Sequence, residues 1–135
     1  MDLSKAMMIS AAGMKVQSIR MRVIAENLAN SSSVASAPGV DPYRRKTVTF
    51  INTLDSELGI TRVKVNKVTF DQSDFGLRYD PGHPAADENG YIKTPNVNGL
   101  IEAMDMKQSQ RSYEANLNSI EVSKNMMMRT LDLLR

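Results

Sequence analysis

The sequence predicts an α+β fold, in which long N- and C-terminal helices pair as an α-helical hairpin or coiled coil and flank a small, mostly antiparallel β domain. Composition supports this division, because all ten methionines lie within residues 1–21 or 104–128 and all five prolines lie between residues 38 and 95. Near both ends, apolar residues recur with the alternating four-three spacing of helices that pack along one another. The middle instead shows the period of two that is typical of strands.

Four segments are expected from these boundaries. Residues 1–30 form the N-terminal helix of the core, and residues 31–45, rich in Ser, Ala, Pro and Gly, form a flexible connector. Residues 46–98 form the small β domain with its return loop, and residues 99–135 form the C-terminal helix. At about 1.5 Å per residue, each helix would extend on the order of 40 to 50 Å.

The N-terminal segment carries two apolar stripes. The first series comprises Leu3, Met7, Ser10, Met14, Gln17, Met21, Ile24 and Leu28. The second series comprises Ile9, Ala12, Val16, Ile19 and Val23. Because the series are offset by two residues, at about 100° per residue they lie on nearly opposite faces of a helix. One partner helix covers only one face, so the other stripe is expected to contact neighbouring subunits.

The C-terminal segment repeats this pattern more regularly. Its main series comprises Ala103, Met106, Gln110, Tyr113, Leu117, Ile120, Lys124, Met127, Leu131 and Leu134. A weaker second stripe comprises Val122, Met126 and Leu133. Matching heptads at the two ends of the chain predict that the two terminal helices pair with each other.

The middle segment contains four strand-like runs. They are "KTVTF" at residues 46–50, "ITRVKVNKVTF" at 60–70, "GLRY" at 76–79 and "GYIKT" at 90–94. Together they are rich in β-branched and aromatic residues, and turn-forming residues separate them, which favours antiparallel pairing.

Charge and composition argue against several classes of protein. Seventeen basic and fifteen acidic residues leave a formal charge of +2, far from the surplus typical of nucleic-acid binders. The sequence contains no cysteine, which excludes disulfides, thiolate zinc sites and cysteine nucleophiles. No apolar run is long enough for a membrane span. A helical pattern continues through the weakly apolar residues 6–14, so no cleaved signal peptide is expected.

The loop "YDPGHPAADENGYIKTPNVN" at residues 79–98 contains the only histidine of the sequence and is the candidate for a metal or catalytic site. It contains four potential ligands, Asp80, His83, Asp87 and Glu88. Their spacing does not match an EF-hand, and a lone histidine does not make a zinc site. The dipeptides Pro81-Gly82 and Asn89-Gly90 are typical of turns, so we expect a turn with no metal, cofactor or catalytic residue. A cation-dependent enzyme built on this loop is the weaker alternative.

A basic cluster, Arg44, Arg45 and Lys46, follows the connector. Such a cluster could contact phosphate or acidic lipid, but it more often forms a solvated strand face or pairs with acidic groups. We expect these charges to be possible subunit contacts, and we expect no nucleic acid or small-molecule substrate as a partner.

The ends of the chain resemble a known family. "ISAAGMKVQSIRMRVIAENLAN" at residues 9–30 resembles the N-terminal signature of bacterial flagellar rod and hook proteins, and "RSYEANLNSIEVSKNMMMRTLDLL" at residues 111–134 resembles their C-terminal helix. The short chain and the loop at residues 79–98 are similar to those of proximal rod members of this family.

The resemblance implies an axial structural protein without catalytic activity, located in the periplasmic rod of the flagellar basal body. It also implies export through the flagellar type III apparatus, without a cleaved signal peptide. The implied partners are other copies of the chain, neighbouring rod proteins and the adaptor at the export gate and membrane ring. A soluble helical-hairpin adaptor or secretion-system component that forms a discrete oligomer is the alternative.

The residues expected at the assembly interface come from both terminal helices. They are Leu3, Met7, Met14, Val16, Ile19, Met21, Val23, Ile24, Asn27, Leu28, Asn30, Tyr113, Leu117, Ile120, Met127, Leu131 and Leu134. Asn27 and Asn30 are expected at a helix end, where asparagine tolerates left-handed geometry and satisfies free carbonyl groups. A contact that fixes the register between subunits is compatible with that position.

Overall fold

The computed structural model describes residues 2–134, so positions 1 and 135 of the predicted terminal segments lie outside the described residues. The elements in chain order are α1 (Leu3–Ala29), β1 (Lys46–Asp55), β2 (Ile60–Phe70), β3 (Gly76–Tyr79), β4 (Tyr91–Thr94) and α2 (Gly99–Leu133). Strands β1 and β2 form one two-stranded sheet, and β3 and β4 form another. The predicted α+β class, with two long terminal helices and a β middle, is confirmed.

Both helices begin at a residue that caps them. The carboxylate of Asp2 accepts a hydrogen bond from the backbone N–H of Ser4 at 3.0 Å. The side-chain oxygen of Asn98 accepts from the N–H groups of Leu100 and Ile101 at 3.1 and 3.3 Å. These contacts satisfy N–H groups that have no partner within the helix. None of the helices in the described part of the chain is both long and apolar enough to cross a membrane.

The residues group into two compact units. The first contains α1 up to Arg22, Val48–Lys67 and α2 from Lys107, and the second contains Val23–Thr47 and Val68–Met106.

In the first unit, α1 and α2 pack closely through small side chains. The hydroxyl of Ser10 donates to that of Ser119 at 3.2 Å. A Cβ atom on Gly13 would lie 2.9 Å from the side-chain amide of Asn116, so the helix backbones approach closely there. Because residues 10 and 13 meet residues 119 and 116, the helices run antiparallel, and the predicted helical hairpin is confirmed.

The face of α2 that packs on α1 differs from the main apolar series that the sequence predicted for it. Met106, Tyr113, Ile120 and Met127 are half-buried as expected, but Ala103, Gln110, Leu117, Lys124, Leu131 and Leu134 are exposed. The inward positions lie one residue earlier and are polar: Glu102, Ser109, Asn116 and Ser123. The physical reason is that small polar side chains allow close approach and bond to their own helix. Ser123 Oγ donates to the carbonyl of Ser119 at 2.8 Å, and Asn116 Nδ2 donates to that of Ser112 at 2.8 Å.

The second stripe of α1 is partly covered within the chain itself. We expected it to contact neighbouring subunits, and that contact stays a prediction, but Val16 and Val23 are each only 4% exposed within one chain. In the first unit, Ala12, Val16 and Ile19 line a groove together with residues of β2. Within the first unit, α1 therefore lies beside both α2 and β2 of its own chain.

A tight turn joins β1 and β2 into a hairpin. The N–H of Gly59 donates to the carbonyl of Asp55 at 2.8 Å, and Gly59 has a φ of +63°. Such a φ favours glycine, because a Cβ atom would be strained there. The carboxylate of Asp55 also forms an ion pair with Arg62. Pairing with β2 therefore extends β1 to Asp55, beyond the run at residues 46–50 that the sequence pattern predicted.

In the second unit, β3 and β4 pair antiparallel, with Gly76 opposite Thr94 and Tyr79 opposite Tyr91. The two tyrosine rings meet edge to face, with centroids 5.3 Å apart. The side chain of Ile92 on β4 is buried. This small sheet carries the chain from the loop at residues 80–90 into the start of α2.

Candidate assembly interface

The last turn of α1 contains an asparagine, Asn27, whose side-chain amide makes four hydrogen bonds. Asn27 is only 1% exposed. Its Nδ2 donates to the carbonyl of Lys46 at 2.9 Å and to Oε2 of Glu102 at 3.2 Å. Its Oδ1 accepts from the N–H of Lys46 and from the hydroxyl of Tyr43, each at 2.9 Å. One amide side chain thus joins the end of α1, the start of β1 and the first turn of α2.

Glu102 is the buried acid of this cluster. Its side chain is fully buried, and its Oε1 accepts from Nε of Arg45 at 2.5 Å. Arg45 also contacts Asp71 at 3.4 Å and Asp105 at 4.0 Å. A buried carboxylate requires a paired charge and hydrogen bonds, and Glu102 has both. We call the residues Asn27, Tyr43, Arg45, Lys46, Asp71 and Glu102 the junction cluster.

The electrostatics of the junction cluster agree with this geometry. Burial lowers the pKa of Arg45, but the hydrogen bond and charge of Glu102, together with those of Asp71, raise the pKa overall. Burial raises the pKa of the Tyr43 hydroxyl, and the positive charge of Lys46 partly opposes this effect. Hydrogen bonds from Ser73 and the interaction with Arg45 lower the pKa of Asp71. The arginine and the aspartate are therefore stabilised in their charged forms, and the tyrosine in its neutral form.

The basic residues predicted as subunit contacts all have partners within the chain. The guanidinium carbon of Arg44 lies 4.2 Å from the centroid of the Phe75 ring, and Nη1 donates to the carbonyl of Asp71 at 2.9 Å. Arg45 pairs with Glu102 as described, and Nζ of Lys46 lies 2.8 Å from Oε2 of Glu26. A contact of these residues with another subunit stays a prediction.

Asn30 lies just beyond α1 and is half-buried. Its Nδ2 donates to the carbonyl of Glu26 at 2.9 Å, and its Oδ1 accepts from the hydroxyl of Ser33 at 3.1 Å. It therefore satisfies a helix carbonyl, as the sequence predicted. The expected left-handed geometry is wrong, because no non-glycine residue between positions 2 and 134 has a positive φ. The side-chain amide and a backbone bond to Glu26 end the helix without it.

The loop at residues 79–98 uses its polar groups to stabilise turns. Nδ1 of His83 accepts from the N–H of Ala85 at 3.1 Å. One oxygen of Asp87 accepts from the N–H groups of Asn89 and Tyr91, each at 2.9 Å. Among the described residues, no group of three or more acidic, histidine or cysteine side chains is placed to hold a metal ion. The contacts favour the turn interpretation of this loop.

The residues predicted for the assembly interface occupy different environments. The buried ones are Val16, Val23, Ile24 and Asn27. The half-buried ones are Leu3, Met7, Met14, Ile19, Met21, Leu28, Asn30, Tyr113, Ile120 and Met127. The exposed ones are Leu117, Leu131 and Leu134. The last group is available to a neighbouring molecule without any rearrangement of the chain.

Further apolar side chains are exposed that the sequence pattern did not indicate. On α2 they include Leu100, Ile101, Met104 and Met128, and on the β strands they include Leu54, Leu77 and Tyr79. The junction cluster was also missed beyond Asn27 and the basic residues. The signal that could have found Glu102 is its position as a lone acid in the apolar run "LIEAM" at residues 100–104.

An antiparallel pair of long helices, joined through a buried polar cluster and bearing exposed apolar side chains, defines a structural protein of the helical-hairpin type. Residues 88–133 match the family described as the C-terminal region of flagellar basal body rod FlgEFG proteins.

Proteins that are similar over nearly the whole chain are also named as flagellar rod proteins. The chain is 52% identical to flagellar basal-body rod protein FlgC of Agrobacterium fabrum, over 98% of the chain and 96% of the relative. It is 39% identical to FlgC of Bacillus subtilis, over 93% of each protein, and 40% identical to FlgC of Salmonella typhimurium, over 93% and 92%. The chain belongs to the FlgC family of flagellar basal-body rod proteins.

Proposed function

We propose that the chain is a structural subunit of the proximal rod, which assembles through its terminal helices into the tubular drive shaft of the flagellum. Its family membership supports the rod as the place of action. Its partners in this proposal are other copies of the chain, neighbouring rod proteins, and the adaptor at the export gate and membrane ring. It has no catalytic role.

The observation that carries this proposal is the unpaired end of α2. Because Ser10 of α1 meets Ser119 of α2, Leu3 at the start of α1 lies opposite the region of residue 126. The last turns of α2 therefore extend beyond the start of α1. Leu131 and Leu133 in this extension are 56% and 87% exposed. Burial of each such side chain contributes roughly 1.5–3 kcal/mol, which favours a contact with a neighbouring molecule.

The residues predicted for assembly fit this proposal in two ways. Exposed residues such as Leu117 and Leu131 would contact neighbours directly. Buried residues such as Val23, Ile24 and Asn27 would act indirectly, because they hold the helices that present those contacts.

We also infer that the chain reaches the periplasmic rod through the type III route without a cleaved signal peptide. The weakly apolar residues 6–14 support this inference, because they lie within α1. Ser10 and Gly13 in this run pack against α2. Removal of the run would delete both of these contacts.

The proposal is tested by a double substitution at the end of α2, Leu131→Asp with Leu133→Asp, in a strain that lacks the wild-type gene. Both side chains are exposed, so the free chain should keep its helical content. Incorporation into purified basal bodies and motility should be lost. The matched control is Asn125→Asp, an exposed polar position on the same helix, which should assemble normally. Normal incorporation of the double variant, or a chain found only in a fixed soluble oligomer, would contradict the proposal.

A further inference from the structure

The groove of the first unit lies beside α1 and is mainly apolar. It has a volume of about 530 Å³ and is lined by Ala12, Val16 and Ile19 of α1 and by Val63 and Val65 of β2. Met8 extends this wall to about three turns of α1, and Lys15 also lies along it. At about 1.5 Å per residue, the distance from Met8 to Ile19 is roughly 16 Å.

The rim of the groove is positively charged. Lys15, Arg62 and Lys64 all line it. Arg62 is neutralised by its ion pair with Asp55. Within residues 2–134, neither Lys15 nor Lys64 forms an ion pair, and both are exposed. The groove therefore fits an apolar surface that has acidic residues along its edge.

The α2 helix of the same chain cannot occupy the groove. It contacts α1 through Ser10 and Gly13. At about 100° per residue, the groove residues Ala12 and Ile19 lie more than a quarter turn of the helix away from that contact. Any helix in the groove must therefore come from another molecule.

The outer face of α2 carries a surface of the required chemistry. Leu117 and Met128 are 39% and 54% exposed. Glu114 and Glu121 are exposed on the same side of the helix, since the four positions fall within a sector of about 60°. Leu117 and Met128 are eleven positions apart in the sequence, as are Met8 and Ile19 of the groove. We call these four residues the acidic stripe.

We propose that the groove of one copy receives the acidic stripe of a second copy of this chain. Leu117 and Met128 would contact the apolar floor, and Glu114 and Glu121 would lie near Lys15 and Lys64. Because the two surfaces differ, the contact is head-to-tail and can continue from copy to copy around a ring or along a tube. This contact deepens the proposed rod function and rests on it.

Single cysteines provide the first test, because the natural chain has none. Two alleles are expressed together, one with Lys15→Cys and the other with Glu121→Cys, and basal bodies are isolated after mild oxidation. A disulfide-linked dimer of both alleles is expected. The control replaces Lys15→Cys with Ser18→Cys, an exposed α1 position that does not line the groove. The control yield should be lower by on the order of tenfold, since its cysteines are not held together.

A charge exchange provides the second test. Lys64→Glu and Glu121→Lys should each reduce the number of copies per basal body, and the double variant should recover them. Ala115→Lys, which adds a lysine on another face of α2, should have little effect, and circular dichroism checks that all variants fold. Equal crosslinking in the control pair, no recovery in the double variant, or a crosslink to a protein of another mass would overturn the proposal. In each case the wild-type chain would still be present in basal bodies, whereas its absence would instead overturn the proposed function.

Discussion

Replacement of Asn27 by alanine is expected to destabilise the chain strongly. The side chain makes four hydrogen bonds of 2.9 to 3.2 Å and is almost completely buried. In the alanine variant, the backbone N–H and the backbone carbonyl of Lys46 each lose a hydrogen-bond partner. It also removes partners from the hydroxyl of Tyr43 and from a buried oxygen of Glu102. The substitution therefore affects contacts among α1, β1 and α2 at once.

The expected loss of unfolding free energy in Asn27→Ala can be worked out from these hydrogen bonds. A neutral hydrogen bond contributes a net 0.5–1.5 kcal/mol, roughly, and one to a charged group contributes more. Allowing for partial replacement by water, the free energy of unfolding should fall by about 3 kcal/mol. For a chain of this length, each kcal/mol lowers the Tm by about 4 °C, so a decrease of roughly 10 °C is expected.

The assay is thermal and urea unfolding of the purified chain, followed by circular dichroism. Asn30→Ala is the matched control, because it removes the same side chain three residues later, where it bonds to one helix carbonyl and accepts from one serine. The control should lose no more than about 1 kcal/mol. If the two variants are equally stable, or if Asn27→Ala changes the free energy of unfolding by less than the control, the junction cluster does not stabilise the fold as argued.

Three further predictions concern the core, the junction cluster and the loop. Val23→Asp should destabilise the free chain more than Met21→Asp, because Val23 is buried and Met21 is half-buried, while both should reduce incorporation into basal bodies. Equal unfolding midpoints of the two free variants would contradict this. Because the pKa of Asp71 is lowered in the folded chain, its contribution to stability is full above the ordinary aspartate pKa and is lost as the pH falls through the lowered value. Asp71→Asn should therefore weaken the acid dependence of unfolding below about pH 4, and an unchanged pH profile would argue against the role of Asp71. Calorimetry with calcium, magnesium or zinc should detect no stoichiometric binding, since the carboxylate of Asp87 bonds to the backbone of its own turn. A signal that disappears in Asp80→Ala with Asp87→Ala would show that the loop is a metal site.

The junction cluster explains how distant parts of the chain depend on one another. Asn27 and Glu102 join the two helices, while Arg45 and Asp71 bring the start of β1 and the segment after β2 to the same point. Loss of one member leaves charged or polar groups of the others buried with fewer partners. Substitutions in the cluster are therefore expected to be non-additive.

Much of the fold could be predicted because the relevant signals are local. The heptads at the two ends predicted both helices, and the run "ITRVKVNKVTF" coincides with β2 at Ile60–Phe70. The run "GLRY" coincides with β3. The turn chemistry of the loop at residues 79–98 also lies in adjacent residues, so its hydrogen bonds could be anticipated. In each case a residue and its near neighbours decide the backbone conformation.

The two terminal helices, the strand-rich middle and the resemblance of the ends to flagellar rod proteins could therefore all be read from local patterns of residues. The face of α2 that meets α1 depends on the tertiary structure, because Asn116 lies against Gly13 and the polar residues Ser109 and Ser123 are buried in place of the apolar series beside them. The tertiary structure also decided that β2 lies beside the second stripe of α1, and that Glu102 is buried against Arg45. These outcomes depend on steric fit and on the need to pair every buried polar group, and both conditions join residues that are far apart in the chain.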